Sequence, residues 1–211
     1  MIDKYYNGVI EQVAGGIGNV EHNSILVRYS NDFSIWDLES VNHYKDQTDI
    51  FFTCHEFSYN KIAEAYEPYL GLIRQMFHKY CSGTLEEFME ECDVYKLQRP
   101  VFESYFEKGF CERTEQILID EVEYEQERMR NSIVTMLQKL SEIRPVVIVL
   151  NRFQLASKST MQLSNSLLQV KNKNIGIVLG VNDVQSIPEF AHEEWDAICE
   201  SMDDRNMVYH I

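Results

Sequence analysis

Arg144-Pro145-Val146-Val147-Ile148-Val149-Leu150-Asn151-Arg152-Phe153 is the stretch on which the fold turns. Five consecutive aliphatic residues follow a proline, and a polar Asn-Arg pair ends the run. The run is too short to span a bilayer and has no polar face at helical spacing. It reads as a central strand buried on both sides, as the strands of parallel sheets are. Ligands of open α/β sheets gather outside the carboxyl ends of such strands. Asn151 and Arg152 therefore stand where chemistry is expected.

Working outward, the flanking sequence alternates strands and helices. Ser24–Tyr29 reads as a strand, Ser30–Ser34 as a polar turn, about Ile35–Tyr44 as a short helix, and Asp49–Cys54 as a second strand. Strand, helix and strand within about 30 residues make a βαβ unit. On the other side, Ser159–Val170 reads as a helix and Asn174–Val181 as a second doubly buried strand. Asn182-Asp183 ends that strand with the same switch from aliphatic to polar seen at Leu150-Asn151. About Glu193–Glu200 is helical, and Met207–Ile211 reads as a last strand. At the start, Ile2–Ala14 has helical spacing and Gly15-Gly16 ends it. The Gly15–Gly18 cluster has no preceding strand and no Lys-Ser/Thr after it, so it is a helix stop rather than a phosphate loop.

The middle of the chain is helical. Ile62–Tyr80 reads as a long helix interrupted or preceded by Pro68, Thr84–Cys92 as a short acidic one, and Pro100 starts a further segment. Glu112–Ser141 reads as the longest helix, with a solvated acidic face at Glu121, Glu123, Glu125 and Glu127. The expected fold is thus α/β, a three-layer sandwich with a mainly parallel five-stranded sheet. Its strands fall near 24–29, 49–54, 146–150, 175–181 and 207–211. One domain is expected over 1–211, with a helical insertion at about 60–142. Because the chain stops on a strand, it is expected to be a fragment of a longer protein.

Composition bounds the function. The chain has 211 residues, 45% of them hydrophobic and 12% aromatic, enough to bury a sizeable core. Its formal net charge of −15 argues against binding nucleic-acid phosphates. The odd set of cysteines, Cys54, Cys81, Cys92, Cys111 and Cys199, contains no C-x-x-C pair and reads as free cytosolic thiols. There is no apolar signal core at the N-terminus and no run of about 18 apolar residues. The expected location is therefore cytoplasmic, with no membrane contact. Cys54-His55-Glu56 and the His78/Cys81 pair were the candidates for an unrelated enzyme site. Neighbours on a strand point to opposite faces, which separates Cys54 from His55, and two residues three apart on a helix do not make a metal site.

The order of elements resembles the nucleotide-binding core of the signal-transduction P-loop ATPases, the STAND branch close to the AAA+ family. Ser24–Tyr29 is similar to the first core strand, Phe51–Glu56 to the second, and Tyr66–Phe77 to a stretch in which a Pro-Tyr-type pair opens a helix. Arg144–Ala156 is similar to the Walker B segment, Asn174–Asp183 to the sensor-1 strand with Asn182 and Asp183 at its sensor-like end, and Met207–Ile211 to the last strand before a helical lid. The resemblance implies that 146–150 lies near the sheet centre, between the first strand and the sensor-like or second strand.

The departures carry the functional reading. A Walker A loop needs glycines that let backbone N–H groups wrap the phosphates, a Lys for the β/γ-phosphates and a hydroxyl for Mg²⁺. The matching position holds Ser30, Asn31, Asp32, Phe33 and Ser34, followed by Ile35, Trp36 and Asp37, with neither Gly nor Lys. At the Walker B position Asn151 replaces the acid and Arg152 stands where a second acid is common. An amide holds Mg²⁺ far more weakly than a carboxylate. The resemblance therefore implies a degenerate, non-catalytic core without cofactor or metal. It would act through protein contacts, with a downstream output domain such as a diguanylate cyclase or a helix-turn-helix, or as a homo-oligomer. Phe33 and Trp36 would fill the vacated pocket or form a docking face with Met207, Val208 and Tyr209. The alternative is a nucleotide-binding hydrolase with an atypical phosphate loop, in which Asn151 orients a water and Arg152 contacts phosphate.

Overall fold

A computed structural model describes residues 3–18, 23–29, 49–61, 63–109, 122–170, 172–182, 187–203 and 208–210. The chain divides into two compact units, Met1–Ala65 with Arg144–Ile211, and Tyr66–Ile143.

The first unit is built on four strands of six to eight residues: β1 Ser24–Tyr29, β2 Phe51–Glu56, β3 Val146–Asn151 and β4 Ile175–Asn182. Of the expected fifth strand, 207–211, the described residues form a three-residue segment, β5 Val208–His210, on the β1 edge. Every pairing is parallel, in the order β2-β3-β4-β1-β5. β3 is interior, but its neighbours are β2 and β4. The expected adjacency to β1 is absent because β4 lies between them. β2 begins two residues later than the sequence suggested, since Phe51 pairs with Val146 and Glu56 with Asn151. That register places Cys54, His55 and Glu56 within the strand itself.

All six residues of β3 and all eight of β4 are buried. Alternation along the strands divides their side chains between two faces. One face carries Ile25, Val27, Tyr29, Phe52, Val147, Val149 and Val178, covered by Val9, Ile10 and Val13 of helix α1, Asp3–Gly16. The expected helix stop at Gly15-Gly16 comes slightly later, and Gly18, at φ 96°, makes the left-handed turn. On the opposite face Arg28 lies against Trp195 and Cys199 of α7, His192–Asp203. This is the helix–sheet–helix layering of a three-layer α/β fold. Helix α6, Lys158–Gln169, is capped by Ser157, whose Oγ accepts from the Thr160 N–H at 3.3 Å, and it packs beside α7. At the amino edge Asn23 is fully used. Its Nδ2 donates to the Asn172 and Ile175 carbonyls at 2.7 and 2.8 Å, tying the approaches to β1 and β4 together.

The second unit is helical: α2 Tyr69–Tyr80, α3 Leu85–Glu91, α4 Arg99–Lys108 and α5 Val122–Ile143. The helix expected over Ile62–Tyr80, interrupted or preceded by Pro68, is preceded by it and starts at Tyr69. Tyr66 has φ 60°, a left-handed backbone that no right-handed helix can run through. Thr84 and Glu87 form a reciprocal capping box on α3, and Gly109, at φ 80°, closes α4. α5 is described from Val122 onward; residues 112–121 of the helix expected over Glu112–Ser141, like the helix expected at 35–44, lie outside the described residues. Phe77 of α2 joins Phe88 and Phe106 at ring separations of 5.2 and 5.5 Å. Buried Gln98 accepts from the Ser132 hydroxyl at 3.0 Å and donates to the Glu125 carbonyl at 3.2 Å.

Two glycines of the first unit have opposite expectations. A Cβ at Gly176 would lie 2.6 Å from Val13 Cγ1, 3.0 Å from the Asn23 carbonyl oxygen and 3.2 Å from Val147 Cγ2. Gly176→Ala should therefore push α1 off the sheet and lower the urea midpoint by the equivalent of about 1–3 kcal/mol. A Cβ at exposed Gly8, inside α1, meets nothing within 4 Å, so Gly8→Ala should stabilise by about 0.5–1 kcal/mol.

Candidate functional site

In a parallel sheet all strands end at one edge. Here Tyr29, Glu56, Asn151 and Asn182 are the last residues of their strands. Tyr29, Glu56 and Asn151 share the α1 face by alternation, two or four residues on from Val27, Phe52 and Val147.

Asn151 is completely buried. Its backbone carbonyl accepts from the Phe57 N–H at 3.0 Å. Its side-chain Oδ1 accepts from the Tyr29 hydroxyl at 3.1 Å and from the Arg152 N–H at 2.9 Å. A backbone N–H can only donate, so this bond fixes which end of the amide faces Arg152. The Nδ2 group is buried and has no hydrogen-bond partner among the described residues. The next residue, Arg152, is left-handed at φ 52°, ψ 43°, an uncommon conformation for a residue with a Cβ. It opens a single 3₁₀ turn, Phe153–Leu155, closed by Leu155 N–H to the Arg152 carbonyl at 2.9 Å. The Arg152 Nε lies 3.3 Å from Glu56 Oε1, an ion pair whose side chains are 24% and 38% exposed. Buried Gln154, on the same turn, accepts from the Asn182 N–H through Oε1 at 3.3 Å.

The structure thus brings Asn151 and Arg152 together with Tyr29 and Glu56. It connects Asn182 to the same turn through Gln154. The expected phosphate-loop positions Ser30, Asn31, Asp32, Phe33 and Ser34, as well as Trp36, lie outside the described residues, and so does Asp183. Met207 is outside them too, and of Val208 and Tyr209 only the strand backbone is described. The Tyr29 contact and the Glu56–Arg152 pair were not singled out from sequence. Both depend on strand register, which the bare sequence does not display.

A second polar cluster joins the starts of α6 and α7. Glu194, 8% exposed, takes Lys158 Nζ at 3.0 Å and Gln162 Nε2 at 2.9 Å on one oxygen. Burial is the largest single influence on its carboxyl and raises the pKa. The hydrogen bonds from Lys158, Gln162 and its own backbone, with the Lys158 charge, outweigh it, and the net direction is down.

Elsewhere the candidate side chains lie among packed neighbours. Cys54 packs against the α1-side core, while the His55 ring sits edge-on to Phe57 at 4.6 Å. His78 is stacked near Phe77 and Phe106. The thiol of Cys81 is raised by burial and then by Glu91, and burial takes Cys92 to about 12. Thiols held protonated are poor nucleophiles. Among the described residues no group of three or more His, Cys, Asp or Glu side chains is arranged to hold a metal ion, and no helix is long and apolar enough to cross a membrane. Comparison of the chain with protein-family models, with curated proteins and with solved structures finds no match in any of the three.

Two expectations follow. Tyr29→Phe removes one of the two donors to the buried Asn151 oxygen and should cost about 0.5–1.5 kcal/mol in chemical denaturation. Glu194 has a folded pKa below its unfolded one, so its ionised form stabilises the fold above the ordinary carboxylate range, and this is lost as pH falls through the folded value. Glu194→Gln should lower stability at pH 7 by roughly 1 kcal/mol and flatten the loss of stability below about pH 4.5, as read from urea midpoints across pH.

Proposed function

We propose that this chain is a non-catalytic regulatory and interaction domain, a degenerate relative of the STAND-type nucleotide-binding core, coupled to an output domain such as a diguanylate cyclase or a helix-turn-helix. The observation that carries this reading is the state of the β3 carboxyl end. The position of a metal-linked acid holds a buried amide, Asn151, whose oxygen is already committed to Tyr29 and Arg152. The next position holds a cation paired with Glu56. Phosphoryl transfer needs a metal held by oxygen ligands and donors aimed at the phosphates. Here the oxygen ligand is occupied and the adjacent charge has the opposite sign. The all-parallel sheet with β3 in its interior agrees with the proposed kinship.

Calorimetry should show Mg-ATP and Mg-GTP binding weaker than about micromolar, with no phosphate release in a coupled assay. Micromolar or tighter binding, or measurable turnover, would overturn the non-catalytic reading. If nucleotide does bind weakly, Arg152→Ala should weaken it further and Asp32→Ala should strengthen it, because the second change removes a negative charge from the expected phosphate position.

A further inference from the structure

We propose that Arg152 and Asn151 form a binding site for a small oxyanion, a phosphate or carboxylate group, which Glu56 occupies as an internal competitor. The inference rests on the regulatory reading above and names the chemistry that such a domain would sense.

Three independent features of the β3 carboxyl end support it. First, the Arg152 side chain is part-exposed. Its Nε meets Glu56 at 3.3 Å, and its guanidinium makes no hydrogen bond among the described residues. The guanidinium fork matches the two-oxygen edge of a carboxylate or phosphate. Second, the adjacent Asn151 carries a buried Nδ2 donor without an acceptor, held in that orientation because Oδ1 is fixed by Tyr29 and the Arg152 N–H. The buried donor lies one residue from part-exposed Arg152, at the edge where α/β sheets take ligands. Third, the group now on Arg152 is itself an oxyanion. The Glu56 carboxylate reaches Arg152 from β2 through a contact that is part-exposed on both sides. Part-exposed ion pairs are weak and exchange readily with solution anions. A ligand oxyanion that displaced Glu56 would keep the Arg152 charge compensated and could add the Asn151 bond that Glu56 does not make. Release of Glu56 would then signal occupancy at the end of β2.

The test uses the 211-residue chain with EDTA present. Sodium phosphate and, separately, sodium succinate are titrated against sodium chloride at equal ionic strength, with calorimetry and the unfolding midpoint as readouts. Glu56→Gln should bind one or both oxyanions about tenfold or more tighter than the wild type, since the competitor is gone. In the Glu56→Gln background, Arg152→Ala should weaken that binding by about tenfold or more, with Arg152→Lys between the two. Asn151→Asp, which replaces the donor by an acceptor of the same shape, should weaken it similarly. Circular dichroism of each variant shows whether it is folded. A response to phosphate alone assigns a phosphate-bearing ligand, and one to succinate alone a carboxylate ligand. Equal binding by Glu56→Gln and the wild type, or binding that ignores Arg152→Lys and Arg152→Ala in folded protein, overturns the proposal. Because no metal or nucleotide is present, a later finding of Mg-ATP turnover would overturn the non-catalytic reading without altering this result.

Discussion

A parallel sheet has no solvated face, and this constraint shapes the first unit. Its inner strands must be apolar along their length, as Val146–Leu150 and Ile175–Leu179 are. Polar chemistry is pushed to the one edge where all four long strands stop. Helices must then cover both faces, and they can do so only where the sheet lets them come close. At Gly176 the sheet has no side chain, and Val13 of α1 occupies the space a Cβ would need. The same closeness sets the height of α1 over β1 and β3, and so defines the layer in which Tyr29 and Asn151 meet.

Burying an amide at the end of β3 has consequences for its neighbours. A buried carbonyl oxygen requires donors, and two arrive: one from across the sheet, Tyr29, and one from the next residue along, Arg152. The Phe57 N–H bonds the Asn151 backbone carbonyl, and the strand turns at the next residue. Arg152 takes the left-handed conformation that makes this turn and sends its side chain toward β2. In a chain of net charge −15 a cation at that spot attracts an acid, and Glu56, register partner of Asn151, is the acid within reach. Each step follows from the one before it, starting with the choice of Asn rather than an aliphatic residue at position 151.

Much of this architecture was legible in the sequence. Aliphatic runs ending in Asn gave β3 and β4, since only a doubly buried strand tolerates such a run. Apolar spacing gave α1, α2, α6 and α7 to within a few residues, apart from the late start of α2. Spacing left open whether Pro68 interrupts or precedes that helix, and the left-handed Tyr66 ahead of Pro68 decides for the second. The adjacency of β3 was misplaced, since hydrophobic pattern identifies a buried strand but not its neighbours. Asn151 and Arg152 stood out as polar residues after a hydrophobic strand. Tyr29 and Glu56 did not, for a tyrosine ending a strand and a glutamate on an edge strand are ordinary until a register sets them beside a particular amide and a particular guanidinium.

The buried side-chain amides of the described residues differ in how fully they are paired. At the amino edge, buried Asn23 spends both hydrogens of its amide on carbonyls. In the helical unit, buried Gln98 uses its oxygen on Ser132 and its nitrogen on Glu125. Within α6, buried Ser164 returns its hydroxyl to the Thr160 carbonyl at 2.8 Å. These are structural polar residues, and burial is tolerated because every strong donor is paired. Asn151 is as deeply buried as any of them, yet leaves a donor unpaired, at a cost of about 1–3 kcal/mol. Its neighbour adds a left-handed backbone, about 1 kcal/mol or more for a side chain with a Cβ. Packing alone offers a simpler solution at position 151, since a Leu or Val would extend β3 with neither cost. A chain that pairs its amides elsewhere and accepts two adjacent costs at the end of an interior strand is spending stability where a ligand can return it.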